Sequence, residues 1–226
     1  MSERGVHDGD LPGSAGEHHV QKVLGTTERA ERFYRDQVLD HLNERMREFI
    51  ARQEMMFVAT ADSHGNCDSS FRAGPPGFVH IIDDRRLAYP EFRGNGVLAS
   101  LGNIAENPGI GMMFLDFTRD RIGLHVNGRA AILDDPDLRR LAPDAPQPQI
   151  PGQRAQVWVL AEVDEAYIHC RKHLPRLRPI EDGESAAWGT DDTRSKGGDF
   201  FAARETASPW SAGRERRPLE PVSQHR

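Results

Sequence analysis

Between Met55 and Val163 the chain keeps returning to short apolar runs, most of them separated by turn clusters of hairpin length. That pattern restricts it to strands joined by hairpins. Met55–Asp62 is a compact apolar strand, Ser63-His64-Gly65-Asn66 a turn, and Cys67–Arg72 the answering strand. Gly77–Ile82 reads as a third strand, Asp83–Arg86 as a turn and Leu87–Tyr89 as a fourth. Val97, Leu98, Leu101 and Ile104 mark a short helix closed by Asn107-Pro108. Gly109–Phe117 and Arg121–Leu133 are two further strands around a charged turn, Thr118-Arg119-Asp120. Asp134–Arg154, rich in Pro and Asp, is an exposed connection with one helical turn at Leu138–Leu141. Ala155–Val163 is the last strand, and Tyr167–His173 continues as a short helix or turn. Six or seven strands with few helices predict an antiparallel barrel with accessory helices, a mainly β (α+β) fold.

The flanks differ in character. Residues 1–25 are acidic and Gly- and His-bearing, without an apolar core, and are expected to be a flexible tail rather than a signal peptide. From Thr26 or Thr27 to about Gln53, Phe33, Tyr34, Val38, Leu42, Met46, Phe49 and Ile50 recur at three- and four-residue steps. That spacing predicts one amphipathic helix with a core-facing stripe. The barrel domain with its helix therefore spans 26–174. Residues 175–226 read as a polar extension with isolated aromatics at Trp188, Phe200, Phe201 and Trp210, either solvated or partly ordered over the site.

Charge narrows the functions. A formal charge of −6 and a pI near 5.9 argue against nucleic acid as the partner. No apolar run approaches the ~20 residues that a membrane helix needs. Cys67 and Cys170 make no metal or disulfide framework by spacing, so a cytoplasmic protein with reduced thiols is expected.

An anion here must be held by local geometry, and one stretch offers it. Arg93-Gly94-Asn95-Gly96 joins the fourth strand to the short helix. Arg93 presents a planar fork suited to phosphate oxygens. Gly94 and Gly96 allow close backbone approach, and the helix N-terminus follows from Val97. A plain glycine turn is the structural alternative. Arg72 leads into Gly74-Pro75-Pro76-Gly77, a stiff turn suited either to the wall of a flat aromatic ligand or to a strand crossover. Ser100 and Asn103 lie within the short helix. His169 and His173, four apart, would be half of a metal site if helical, yet no matching ligand pair accompanies them, and no metal is expected. G-x-S-x-G, H-E-x-x-H and Walker patterns are absent.

Taken together, F-V-A-T-A-D-S-H-G-N (57–66), S-F-R-A-G-P-P-G-F (70–78), the R-G-N-G-x-L-x-S-L-x-N-I run (93–104), N-P (107–108) and Y-I-H-C-R-K-H (167–173) resemble the pyridoxamine 5′-phosphate oxidase-like family, the FMN-binding split barrels. The resemblance covers roughly Phe49 to Leu174. It implies a six-stranded split barrel that forms a homodimer, with FMN sites between the subunits. Ser70 and Arg72 would then line the flavin and phosphate side, and Tyr89 and Pro90 the isoalloxazine edge. Arg93, Gly94, Asn95 and Gly96 would hold the phosphate. Lys172 and Trp188 would reach the cleft, of either the same or the other subunit. The implied activity is an FMN-dependent oxidoreductase acting by hydride transfer through flavin N5 on a small-molecule substrate, with no catalytic acid or base named.

Departures from the family pattern bear on the substrate. The oxidase carries a lysine at the end of its second strand, where this chain has Arg72-Ala73-Gly74, and a basic pair in the phosphate loop, where this chain has one Arg. Both weigh against vitamin B6 oxidation. The rivals are a deazaflavin-dependent reductase, with Arg171, Lys172, Arg176 and Arg178 along the cleft, and a non-catalytic flavin- or haem-binding protein with His125, His169 or His173 as axial ligands.

Overall fold

The computed structural model describes residues 11–148, 152–178, 188–192 and 194–205. The chain divides into a large unit, Met1–Trp188, and a second one, Gly189–Arg226. The elements of the large unit run α1 (Ala15–Val23), α2 (Thr27–Gln37), α3 (Glu44–Ala51), β1 (Met55–Ala61), β2 (Cys67–Ala73), β3 (His80–Ile81), β4 (Arg86–Phe92), α4 (Ala99–Glu106), β5 (Gly109–Leu115), β6 (Gly123–Leu133), α5 (Asp135–Leu141) and β7 (Ala155–His169). A 3-10 turn follows at Arg171–His173. The second unit contains turns and one 3-10 segment, Ala203–Glu205, among its described residues.

All seven strands lie in one sheet of order β2-β1-β5-β6-β7-β4-β3, and every paired neighbour is antiparallel. Six are seven residues or longer, and β3 contributes only a two-residue rung. The hairpin turns are built by side chains. Asp62 accepts hydrogen bonds from the amides of His64 and Asn66 (2.8 and 2.9 Å), and Asp116 accepts from those of Thr118 and Arg119 (both 2.9 Å). Each aspartate thus satisfies amides that the ladder leaves unpaired.

Alternation along the strands sets an inner face. Met56, Val58, Leu87, Tyr89, Met112, Phe114, Val126, Val159 and Ala161 pack there as the main core. β2 and β4 stand near opposite ends of the strand order, yet Arg72 on β2 grips Glu91 on β4. The sheet therefore rolls on itself, giving the mainly β, split-barrel architecture that the strand spacing and the family resemblance predicted. A smaller core lies on the other face, where α5 lays Leu138 against Ala88 and Trp158. Asp134 caps α5 through the amide of Asp137 (2.7 Å), and Trp158 Nε1 donates to Asp135 (3.0 Å).

Three local expectations are corrected. The single helix from 26 to 53 is two, because Leu39 exchanges backbone hydrogen bonds with Ala166 of β7 and pulls the chain extended. Asn43 then caps α3 through the amide of Met46 (3.0 Å). Phe49, Ile50 and Leu42 are buried, but Phe33 and Tyr34 stay outside the core. Within the expected flexible tail, Ser14 caps α1 through the amide of Glu17. Finally, Tyr167–His169 continues β7 as strand, so His169 and His173 do not share a helical face.

Candidate functional site

After Phe92 the chain leaves the sheet, and Arg93 to Ala99 are all exposed. Gly96 adopts φ +82°, a conformation that disfavours any side chain, although a Cβ there would meet nothing within 4 Å. The glycine is required by the backbone and not by packing, so the space beside it is open. Asn95 braces the loop by accepting from the Val97 amide (3.0 Å). Leu98, at φ 54° and ψ 34°, turns the chain into α4 in a left-handed conformation unusual for a β-carbon-bearing residue. Leu98, the N-cap residue, has an apolar side chain and makes no capping hydrogen bond to the first turn of α4. An exposed, uncapped helix start beside an arginine-bearing loop is suited to an anion.

The polar residues of α4 fix it to the hairpin beneath. Ser100, only 2% exposed, donates to Asp68 (3.0 Å) and lies 3.0 Å from the Ser70 hydroxyl, which itself bonds Asp68 at 2.6 Å. Asn103 donates to Thr60 (3.0 Å) and Ile104 is buried. Ser100 and Asn103 thus have a positioning role: they hold the helix whose N-terminus completes the loop.

The residues expected to form one site divide into groups. Ser70 and Arg72 share the inward face of β2 with Asp68, where Ser70 is already engaged by Asp68 and Ser100. Arg72 is clasped by Glu91, with Nε 2.9 Å from one carboxylate oxygen and Nη2 3.0 Å from the other. Both side chains are at most 17% exposed. Burial pushes the Glu91 carboxyl up, opposed by the Arg72 charge. Tyr89 and Pro90, consecutive on β4, point to opposite faces. Tyr89 is sealed in the main core, its hydroxyl without a partner among the described residues and its ionisation pushed up by burial and then by Glu91. Pro90 instead lines a cavity of about 270 Å³ with Pro75, Phe78, Phe92, Arg139 and Trp158. Pro75, from the Gly-Pro-Pro-Gly turn, is thus part of that cavity's lining. Trp188 packs edge-on against Phe92 (centroids 5.0 Å apart), at the foot of the Arg93 loop.

Lys172 is elsewhere. Phe92 pairs with Ala155 at the start of β7, whereas Lys172 follows the end of that strand at His169. At ~3.3 Å per residue the separation along β7 is on the order of 40 Å. Lys172 and the neighbouring Arg171, which donates to the Asp120 carbonyl, do not join Arg93 within one chain. Sequence reasoning also missed Glu91. The available signal was an acid alternating with Tyr89 inside the apolar run L-A-Y-P-E-F, where period 2 turns it inward.

A second polar cluster, Asp62, His64 and Glu106, has ligand atoms within 4.8 Å of one another. Its carboxylates already accept from the Asn66 side chain and from Ser63, which accounts for it as a turn anchor.

With this geometry in place, comparisons with known proteins give the following. The family model described as pyridoxamine 5′-phosphate oxidase matches residues 42–170, more than half of the 226. No curated protein matches the chain. Among solved structures, HupZ from Group A Streptococcus is 20% identical, covering 54% of this chain and 89% of that one, with a TM-score of 0.39. General Stress Protein 26 from Bacillus anthracis is 19% identical over 56% of this chain and 92% of that one, TM-score 0.40. An FMN-binding protein from Syntrophomonas wolfei is 15% identical over 54% of this chain and 86% of that one, TM-score 0.40.

Proposed function

The chain belongs to the pyridoxamine 5′-phosphate oxidase family, and on that premise we propose that it is a homodimeric, FMN-dependent oxidoreductase acting on a small molecule. The observation that carries the reading is the exposed Arg93–Gly96 loop opening into the uncapped start of α4. Open space beside Gly94 and Gly96 fits a phosphate group, and Arg93 supplies the charge-assisted donor. Asn95 holds the loop's shape through the Val97 amide, and Ser100 and Asn103 hold the helix. Bound FMN would supply hydride transfer at its N5 position. The chain's own part is to orient and shield: Pro75, Pro90 and Phe92 give an apolar wall near the loop's foot, and Trp188 covers Phe92.

Arg72 has a different role in this reading from the one first expected. Its charge is spent on Glu91, so it closes the barrel beneath the site instead of gripping the phosphate. The dimer is supported by the outer face of the sheet. Phe71, Phe57 and Met113 stand in register across β2, β1 and β5, beside a row of small residues, Ser69, Ala59 and Gly111. Phe71 is 53% exposed and Phe57 and Met113 are half-buried, so this apolar row is open to a partner at its β2 end among the described residues.

A deazaflavin, with its longer anionic tail, gains no support within one chain, because Arg171 and Lys172 lie beyond the far end of β7. The first test is to purify the protein from a flavin-sufficient host, record its visible spectrum and identify the released ligand. Stoichiometric FMN is expected. A colourless protein that takes up no FMN, or one with a Soret-type band, would remove the proposal.

A further inference from the structure

On the outward face of β6 and β7, away from the Arg93 loop, two histidines meet. His125 Nε2 lies 2.9 Å from His169 Nδ1. The contact is diagonal across the ladder: His125 is opposite Tyr167, and His169 is opposite Gly123. Gly123 permits this close strand approach, since a Cβ there would come within 2.6 Å of Leu115 Cδ2, 2.7 Å of the Phe114 carbonyl oxygen and 2.9 Å of the His169 Cβ. Tyr167 stacks on the His125 ring, with centroids 4.7 Å apart and planes 19° apart. Both histidines are half-buried, so one side of the pair is packed and the other open.

We propose that His125 and His169 form a two-imidazole chelate for a divalent transition ion of the Cu(II) or Ni(II) class. The distance selects the geometry. With metal–nitrogen bonds of ~2.0–2.1 Å, two nitrogens 2.9 Å apart subtend about 90° at the ion, whereas a tetrahedral pair would stand ~3.3 Å apart. A right angle between neighbouring ligands belongs to tetragonal or octahedral coordination, the preference of Cu(II) and Ni(II). Water fills the remaining positions on the open side.

In the metal-free pair the two nitrogens are already neighbours, and a small turn of each ring aims its lone pair at a shared ion instead of at the other nitrogen. One imidazole N–H donates to the other ring's lone pair. On loading, that N–H bond breaks, and water carries its proton to the same ring's other nitrogen. Each imidazole then gives one lone pair to the ion, with no net proton release and no redox change. Tyr167 packs against the His125 ring and the strand pairing keeps the two histidines adjacent before the ion arrives, which lowers the ordering cost of binding.

The test is calorimetric titration of the full chain with nickel chloride, for the unaltered protein and for His125→Ala and His169→Ala. One strong site per chain is expected, weakened roughly 10-fold or more in either variant, since loss of a direct ligand costs at least as much as loss of a supporting group. Affinity unchanged in a folded His169→Ala protein would assign the nickel to other histidines and overturn the proposal. Should His125→Ala fail to fold, His169→Ala carries the titration. Paramagnetic broadening of imidazole resonances in the unaltered protein decides independently. Selective broadening at His125 and His169 supports the chelate, and broadening confined to other histidines rejects it.

Discussion

The seam where β2 meets β4 and the rim loop that follows β4 use the same residue type in opposite ways. At the seam, Arg72 is enclosed and its guanidinium is answered by Glu91 from another strand. At the rim, only two residues further along β4's exit, Arg93 sits among residues that are all exposed. Arginine in the first setting is a closing element, because a buried charge must be neutralised where it lies. In the second it is solvent-exposed, so its charge needs no buried counter-charge. The difference teaches that an arginine in a family-like motif is assigned a role by what the fold places opposite it.

The sharpest way to break this comparison is to remove one partner at the seam. Glu91→Ala leaves Arg72 buried and unpaired, and should cost about 3–5 kcal/mol in urea unfolding. Replacing both, Arg72→Met with Glu91→Leu, should recover most of that loss. If Glu91→Ala is as stable as the unaltered protein, the seam is not closed by this pair.

At the rim the expected effect falls on binding. Arg93→Ala should weaken FMN by about 1.5–3 kcal/mol, the usual size for a charge-assisted hydrogen bond. Its unfolding free energy should change by no more than ~1 kcal/mol, as for surface charges generally. Flavin fluorescence titration checks the first number and urea unfolding the second. Unchanged affinity in the folded variant would take the phosphate away from this loop.

Between seam and rim stands α4, and Ser100 tests the link. Ser100→Ala removes the hydroxyl shared with Asp68 and Ser70, and should cost about 1–2 kcal/mol of stability. It should also lower FMN affinity modestly if the helix start forms part of the site.

The smallest effect concerns the Asp116 turn, and it is pH-dependent. Burial alone would raise this carboxyl, but the amide hydrogen bonds of Arg119, Thr118 and Asp120 outweigh it and hold it below its ordinary value. A depressed carboxylate contributes stability above its unfolded pKa and loses it as pH falls through the folded one. Asp116→Asn should therefore be less stable than the unaltered protein at pH 7 by about 1 kcal/mol. That gap should close as pH falls below ~4. A gap that stays constant with pH would show that ionisation of Asp116 does not matter.

Much of the barrel was legible because its signals are local. The Asp62 and Asp116 turns, the period-2 runs and Asn107-Pro108 each act within a few residues. The same holds for the glycine at 96, whose φ of +82° is a property of the backbone itself. Elements decided by a distant partner were misread. The break between α2 and α3 depends on Leu39 finding Ala166, more than a hundred residues away, and no nearby breaker announces it. His169 reads as helical by its spacing from His173, but pairing with Gly123 keeps it in strand.

The sequence by itself determined the strands, the hairpin turns, the family and the glycine loop at Arg93–Gly96, because alternation and turn chemistry need no tertiary partner. Tertiary structure alone decided that Arg72 belongs to Glu91, that Tyr89 and Pro90 face apart into different cores, and that Lys172 lies a strand's length from Arg93. The physical reason is that rolling the sheet brings together residues far apart in the chain. Which charge meets which is then fixed by that closure and not by spacing along the sequence.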